Sequence, residues 1–163
     1  MKVILSDTSP VSALFRLGKL DLLRDLYGVV LIPPAVFAEL LNLSVFGYDL
    51  DPLTTASWLK VTVPKDQMLV GQLCRDLDIG EAEAIALAKE LGAHLLIIDE
   101  KQGRQIAQSM DLPIIGLLGV LLAGKKAGLV DTLSPLLQRL GDIGFYISNR
   151  LTGEVLKQAG EDN

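Results

Sequence analysis

The chain has 163 residues, the length of one ordinary domain. Half of them are apolar and the mean hydropathy is +0.40, which excludes a disordered tail and predicts a sizeable core; with only 5% aromatics, that core must be aliphatic. One cysteine and one histidine exclude a disulfide framework and a Cys- or His-rich metal site, and a net charge of −5 argues against binding nucleic acid through a broad basic surface.

In chain order, short apolar runs alternate with amphipathic stretches, the pattern of a parallel sheet covered by helices. Residues 2–6 read as a buried strand that ends at Asp7, and Pro10 suits the first turn of a helix that stops near Gly18. A second helix spans 21–27, a strand 29–32, and Pro33-Pro34 opens a helix over 35–41. Residues 42–55 carry Gly47 and Pro52 and read as irregular. A strand at 59–63 and helices at 67–77 and 81–91 follow, the latter with an apolar stripe of Ala82, Ile85, Ala86 and Ala88. Residues 95–98 read as a buried strand, 100–110 as a helix and 113–115 as a short strand. Helices are expected at 116–126 and 132–140, the second with Leu133, Leu136, Leu137 and Leu140 on one face. An edge strand at 145–148 and a helix at 150–158 complete the prediction of one domain over 1–163. No run reaches the roughly 18 apolar residues of a membrane span, and the N-terminal run is too short for a signal peptide, so a cytoplasmic setting without membrane contact is the expectation.

Ligands of an open parallel sheet bind beyond the carboxyl ends of its strands. Asp7 and Asp99 each follow a predicted strand directly. Glu81 starts a helix of about 15 Å, and the returning strand covers ~13 Å, so Asp99 comes back to the level of Glu81. Glu39 lies just over one turn into its helix. Two carboxylates about 5 Å apart repel by roughly 3 kcal/mol at an effective dielectric near 20, so converging acids need protons or a cation. Oxygen-only ligands favour Mg²⁺ or Mn²⁺, and such an assembly can hydrolyse a phosphodiester without a His or Cys nucleophile. Each acid also has a plainer reading. Asp7 and Asp99 fit N-caps, Asp78 to Glu81 fits a capping box, and Glu39 fits a solvated helix face.

The runs Val3-Ile4-Leu5-Ser6-Asp7-Thr8-Ser9-Pro10, Ile32-Pro33-Pro34-Ala35-Val36 up to Glu39-Leu40, Gly80-Glu81-Ala82-Glu83-Ala84-Ile85, and Leu96-Ile97-Ile98-Asp99-Glu100 resemble the PIN-domain family. The nearest branch is that of predicted nucleic-acid-binding PIN proteins, similar to the VapC-type toxin nucleases. The run Gly116-Leu117-Leu118-Gly119-Val120-Leu121 before Lys125-Lys126 is similar to that branch too. The resemblance covers nearly the whole chain. It implies a three-layer α/β/α fold with a central, mainly parallel sheet, and a metal-dependent endoribonuclease, often the toxin of a toxin–antitoxin pair. Carried over by position, Asp7, Glu39, Glu81 and Asp99 match the family's acidic cluster, with Asp7, Glu81 and Asp99 as ligands of Mg²⁺ or Mn²⁺. RNA, expected to be single-stranded, and an antitoxin protein are the partners of such a nuclease; the Leu-rich helices near Leu121 and Leu137 offer a face to a second copy of the chain, and metal-activated water attack is expected to leave a 5′-phosphate and a 3′-hydroxyl.

Glu83 rivals Glu81 for the third place; the two lie about 200° apart on a helix, so only one faces a metal. Two departures from the family pattern stand out: a Glu where many members have Asp, and Ile97-Ile98 where many carry Ser or Thr before the last acid. They favour the alternative of a weak or inactive nucleic-acid-binding module. Ser9, Lys101 and Arg104 are the candidate contacts to nucleic acid, Thr8 and Ser9 being equally suited to capping the first helix. Residues 119–126 nearly match a phosphate-binding loop but lack the Ser or Thr after the first Lys, and Asp7-Thr8-Ser9 lacks the second Asp of a haloacid-dehalogenase-type phosphatase.

Overall fold

The computed structural model describes residues 2–161; Met1, Asp162 and Asn163, the ends of the expected domain, lie outside the described residues. Five parallel strands form one sheet: β1 (Ile4–Ser6), β2 (Val30–Ile32), β3 (Leu59–Val61), β4 (Leu95–Ile97) and β5 (Ile114–Ile115), in the order β3-β2-β1-β4-β5. The chain winds outward from β1 to β3, then crosses back to start again at β4 on the other side of β1. The direction of winding therefore reverses between β1 and β4, and the crevice of a doubly wound sheet opens there.

Side chains alternate across the strands, and each face buries its own core. Ile4, Val30, Ile32 and Ile97 pack with α1 (Thr8–Arg16), α2 (Asp21–Tyr27), α8 (Leu117–Lys126) and α9 (Ser134–Asp142). Leu5, Leu96 and Ile98 pack with α5 (Gln67–Leu73), α6 (Ile79–Leu91) and α7 (Lys101–Ser109). The result is the expected three-layer α/β/α arrangement. Between the layers α3 (Pro34–Leu41) bridges α1 and α6. α6 buries Ala82, Ala84, Ala86 and Ala88 beside the larger Ile85 and Leu87, and the small side chains let it approach its neighbours closely. No helix among the described residues is long and apolar enough to cross a membrane.

Three readings of the sequence are corrected. Residues 42–55 are not structureless: a 3₁₀ segment (Asn42–Phe46) and α4 (Asp51–Thr54) flank Gly47, whose φ of +85° suits glycine. The helix expected over 67–77 stops at Leu73, because Cys74 to Leu77 turn so that Asp78 can cap α6 two residues earlier than expected. Most consequential, residues 145–148 form no strand. Gly144, at φ +88°, ends α9, the Phe145 N–H closes on the Leu140 carbonyl at 2.9 Å, and Ser148 already caps α10 (Asn149–Gln158) by accepting from the Leu151 N–H. Both ends of the segment are committed to the helices that flank it, it pairs with no strand, and β5 stays the edge of the sheet.

Residues set aside on the sequence have structural places. The 119–126 segment lies within helix α8; a Cβ on its Gly119 would stand 2.5 Å from the Ile115 side chain, and Lys125 binds the Asp131 carbonyl and Glu161. His94 Nδ1 accepts from the Val3 N–H at 2.8 Å, at the entry to β1 and β4, and half-buried Trp58 packs on the core.

Candidate active site

Asp7 and Asp99 stand at the winding reversal. Ser6 of β1 lies beside Ile97 of β4, and the Asp7 N–H donates to the Ile97 carbonyl at 2.9 Å, so both acids leave the same end of adjacent strands. Asp7 precedes α1 but makes no side-chain cap bond there, and its side chain is 5% exposed. Asp99 does not cap the helix that follows it. One of its oxygens, Oδ1, accepts from the Leu117 N–H at 2.9 Å, at the start of α8, and the other, Oδ2, is buried with no hydrogen-bond partner.

Glu81 and Glu83 separate cleanly. Pro33 and Pro34 start α3 without a side-chain cap, and Glu83 supplies one from outside: its Oε1 accepts from the Ala35 N–H at 2.8 Å. Glu83 is thereby committed to α3. Half of the expected capping box forms, since Asp78 Oδ1 accepts from the Glu81 N–H at 2.9 Å. The reciprocal half is not made by Glu81 Oε2, which is buried and unpartnered on a residue 7% exposed. An unpaired buried carboxylate oxygen costs several kcal/mol in general, and native proteins keep such groups chiefly where they have work to do. Glu39 comes in from α3, its Oε2 accepting from the Thr8 hydroxyl at 2.5 Å. Thr8 thus orients an acid of the site rather than capping its own helix.

Glycines make room for three of the four acids. A Cβ on Gly80 would stand 2.6 Å from Glu39 Oε1; on Gly103, 2.7 Å from Glu81 Oε2 and 2.9 Å from Ile98 Cδ1; on Gly116, 2.8 Å from Asp99 Oδ1 and 3.0 Å from Arg104 Nη1. None of these three glycines has a positive φ. Space, not backbone freedom, is what each provides. A glycine inside α7 works against helix propensity by roughly 1 kcal/mol, which was the signal in the sequence that something approaches Gly103 closely.

Burial is the main cause of an upward pKa shift in all four acids. Asp7 is pushed to about 7, with the charges of Asp78, Glu39 and Asp99 adding to burial and the Thr8 N–H opposing it. Glu81 is pushed to about 8 by burial, then by Asp78, Asp7 and Glu100. Glu39 is raised by burial and Asp78 against the Thr8 bond, and Asp99 by burial against the Leu117 N–H and Arg104. Asp78 recurs among these causes, so the site has a fifth acid that the sequence presented only as a cap.

The four predicted acids share one edge and repel one another, yet they are not a closed cage: among the described residues, no three His, Cys, Asp or Glu side chains are grouped tightly enough to hold a metal ion as they stand. Their chemistry nonetheless fits a hard divalent cation. The donors are all carboxylate oxygens, two are buried without partners, and a bound cation would offset the burial that raises the pKa values of Asp7 and Glu81. Of the expected nucleic-acid contacts, Ser9 and Lys101 are exposed near the site, while Arg104 is half-buried, its Nη1 donating to the Ile98 carbonyl at 2.8 Å.

A sequence profile for a PIN domain matches residues 3–161. The chain belongs to the PIN-domain family. PIN domains are nuclease-type modules that typically use divalent metals, and the all-parallel five-stranded sheet is consistent with that fold. No curated protein and no solved structure matches this PIN domain.

Proposed function

We propose that the chain is a Mg²⁺- or Mn²⁺-dependent endoribonuclease acting on single-stranded RNA. The observation that carries the reading is the pair of buried, unpartnered oxygens, Glu81 Oε2 and Asp99 Oδ2, at the edge where Asp7 also emerges. Asp7, Glu81 and Asp99 would hold the cation, which when bound supplies Lewis-acid polarisation of the phosphodiester and activation of the attacking water. Thr8 fixes Glu39, leaving its carboxylate to orient water beside the other acids. Arg104 lies next to Asp99, anchored to the Ile98 carbonyl, and its remaining N–H groups suit a phosphate; Ser9 and Lys101 border the same edge.

Cleavage of an RNA pool with Mn²⁺, compared between the native protein and Asp7→Asn, tests this. The native protein is expected to release fragments with 5′-phosphate ends, and the variant to release almost none. Equal cleavage by both overturns the assignment.

The toxin role belongs to the same proposal, with an antitoxin protein and a second copy of the chain as partners. Expression in bacteria should arrest growth, and Asp7→Asn should relieve the arrest. A second reading, a weak or inactive nucleic-acid-binding PIN module, draws support from the open arrangement of the acids and from buried Ile97 and Ile98 where a hydroxyl residue would help orient water. It predicts RNA binding without cleavage and no uptake of Mn²⁺.

A further inference from the structure

The expected edge strand at 145–148 stands off from β5, and a cavity of about 510 Å³ opens between them. Its lining runs from Asp99 and Arg104 at the acidic edge past Ile114, Ile115 and Leu118 to Tyr146 and Leu151. We propose that this cavity is a nucleobase pocket, taking one unpaired base of the RNA next to the phosphate held at the acidic edge. The inference rests on the nuclease reading above and names how that site would grip its substrate.

Three features favour a base as the occupant. First, the cavity is continuous with the acidic edge: Arg104, between the Ile98 carbonyl and Asp99, stands on the boundary, where the phosphate joining two nucleotides would lie. Second, the walls combine aliphatic side chains with an aromatic ring that is 88% exposed, Tyr146, and flat faces of this kind stack on bases of any sequence. Third, β5 is an unpaired edge. The carbonyls of Pro113 and Ile115 accept from Leu96 of β4 and from Ile98 just after it, so the intervening Ile114 turns its N–H and C=O outward, toward the cavity it lines. A backbone donor beside a backbone acceptor suits the polar rim of a base. The volume lies within the range of small-ligand sites. Base pairing would keep a base out of such a cavity, so the pocket selects single strands.

The test uses fluorescein-labelled single-stranded RNA dodecamers of one sequence, intact or with an abasic nucleotide at each position in turn. Affinity is read by fluorescence anisotropy at fixed ionic strength, with Asp7→Asn protein so that the strand stays whole. Removal of the base at one position should weaken binding roughly 5- to 100-fold. In Asp7→Asn/Tyr146→Ala, and in Asp7→Asn/Leu151→Trp, which fills the cavity, the same removal should change affinity by no more than about 2-fold. Tyr146 and Leu151 are exposed enough for both variants to fold, which thermal melts check. An abasic series flat at every position, or a loss that survives both variants, overturns the pocket and leaves the cavity to a peptide partner. A native protein that binds with this base dependence but cuts no RNA sinks the nuclease reading and leaves the pocket standing.

Discussion

Replacing Asp7 by Asn should stabilise the protein while abolishing its activity. In the metal-free protein the Asp7 carboxyl has its pKa raised from 3.8 to about 7, chiefly by burial. Between those values the folded state holds a proton that the unfolded chain has released, so folding stability falls as pH rises and levels off above about 7. Each pKa unit corresponds to about 1.4 kcal/mol, so the ionised side chain costs the fold up to roughly 4 kcal/mol at pH 8 and almost nothing at pH 4. Asn imitates the protonated carboxyl at every pH. Urea unfolding in EDTA should therefore show Asp7→Asn level with the native protein at pH 4 and more stable by a few kcal/mol at pH 8. Glu81, raised to about 8, makes the native protein's own decline steeper over the same window. A variant no more stable than the native protein at pH 8 would refute the argument that burial and neighbouring acids strain this carboxylate.

Three further outcomes follow from the same site. Mn²⁺ at a hundred times its dissociation constant should stabilise the protein by about 2.7 kcal/mol at pH 8, measurable as a higher Tm; the effect should shrink at pH 5, where protons compete, and vanish in Asp7→Asn. Glu83→Ala should cost about 1 kcal/mol by uncapping α3 yet leave Mn²⁺ binding intact, whereas Glu81→Gln should abolish binding; the reverse pattern in a calorimetric titration would exchange their roles. Gly103→Ala should cut kcat/KM at least about tenfold by displacing Glu81, with stability changed by no more than about 2 kcal/mol, because helix propensity gained offsets part of the crowding.

The sheet and two of its acids were legible because a short apolar run followed by Asp carries its own geometry: Asp7 and Asp99 could only lie at the carboxyl ends of β1 and β4. Glu39 was legible less directly, from its place one turn into a helix. Helix phase alone could not choose between Glu81 and Glu83. The choice depended on a contact with α3, whose Pro33-Pro34 start leaves an N–H for Glu83 to satisfy. Asp78 was hidden by its own role as a cap, since that bond uses only one of its oxygens while its charge acts on Asp7, Glu39 and Glu81. Residues 145–148 read as an edge strand, but helix caps at both ends commit the segment to α9 and α10 instead of to the sheet. That failure has a consequence for function, because the gap left beside β5 is the cavity assigned to a base.

The central claim is that Asp7, Glu81 and Asp99 bind one divalent cation between them. An anomalous difference map from a crystal soaked in Mn²⁺ tests it most directly. A peak about 2.0–2.3 Å from oxygens of those three side chains is the predicted result. Millimolar Mn²⁺ leaving that edge of the sheet without a peak, with the carboxylates facing apart, would contradict it.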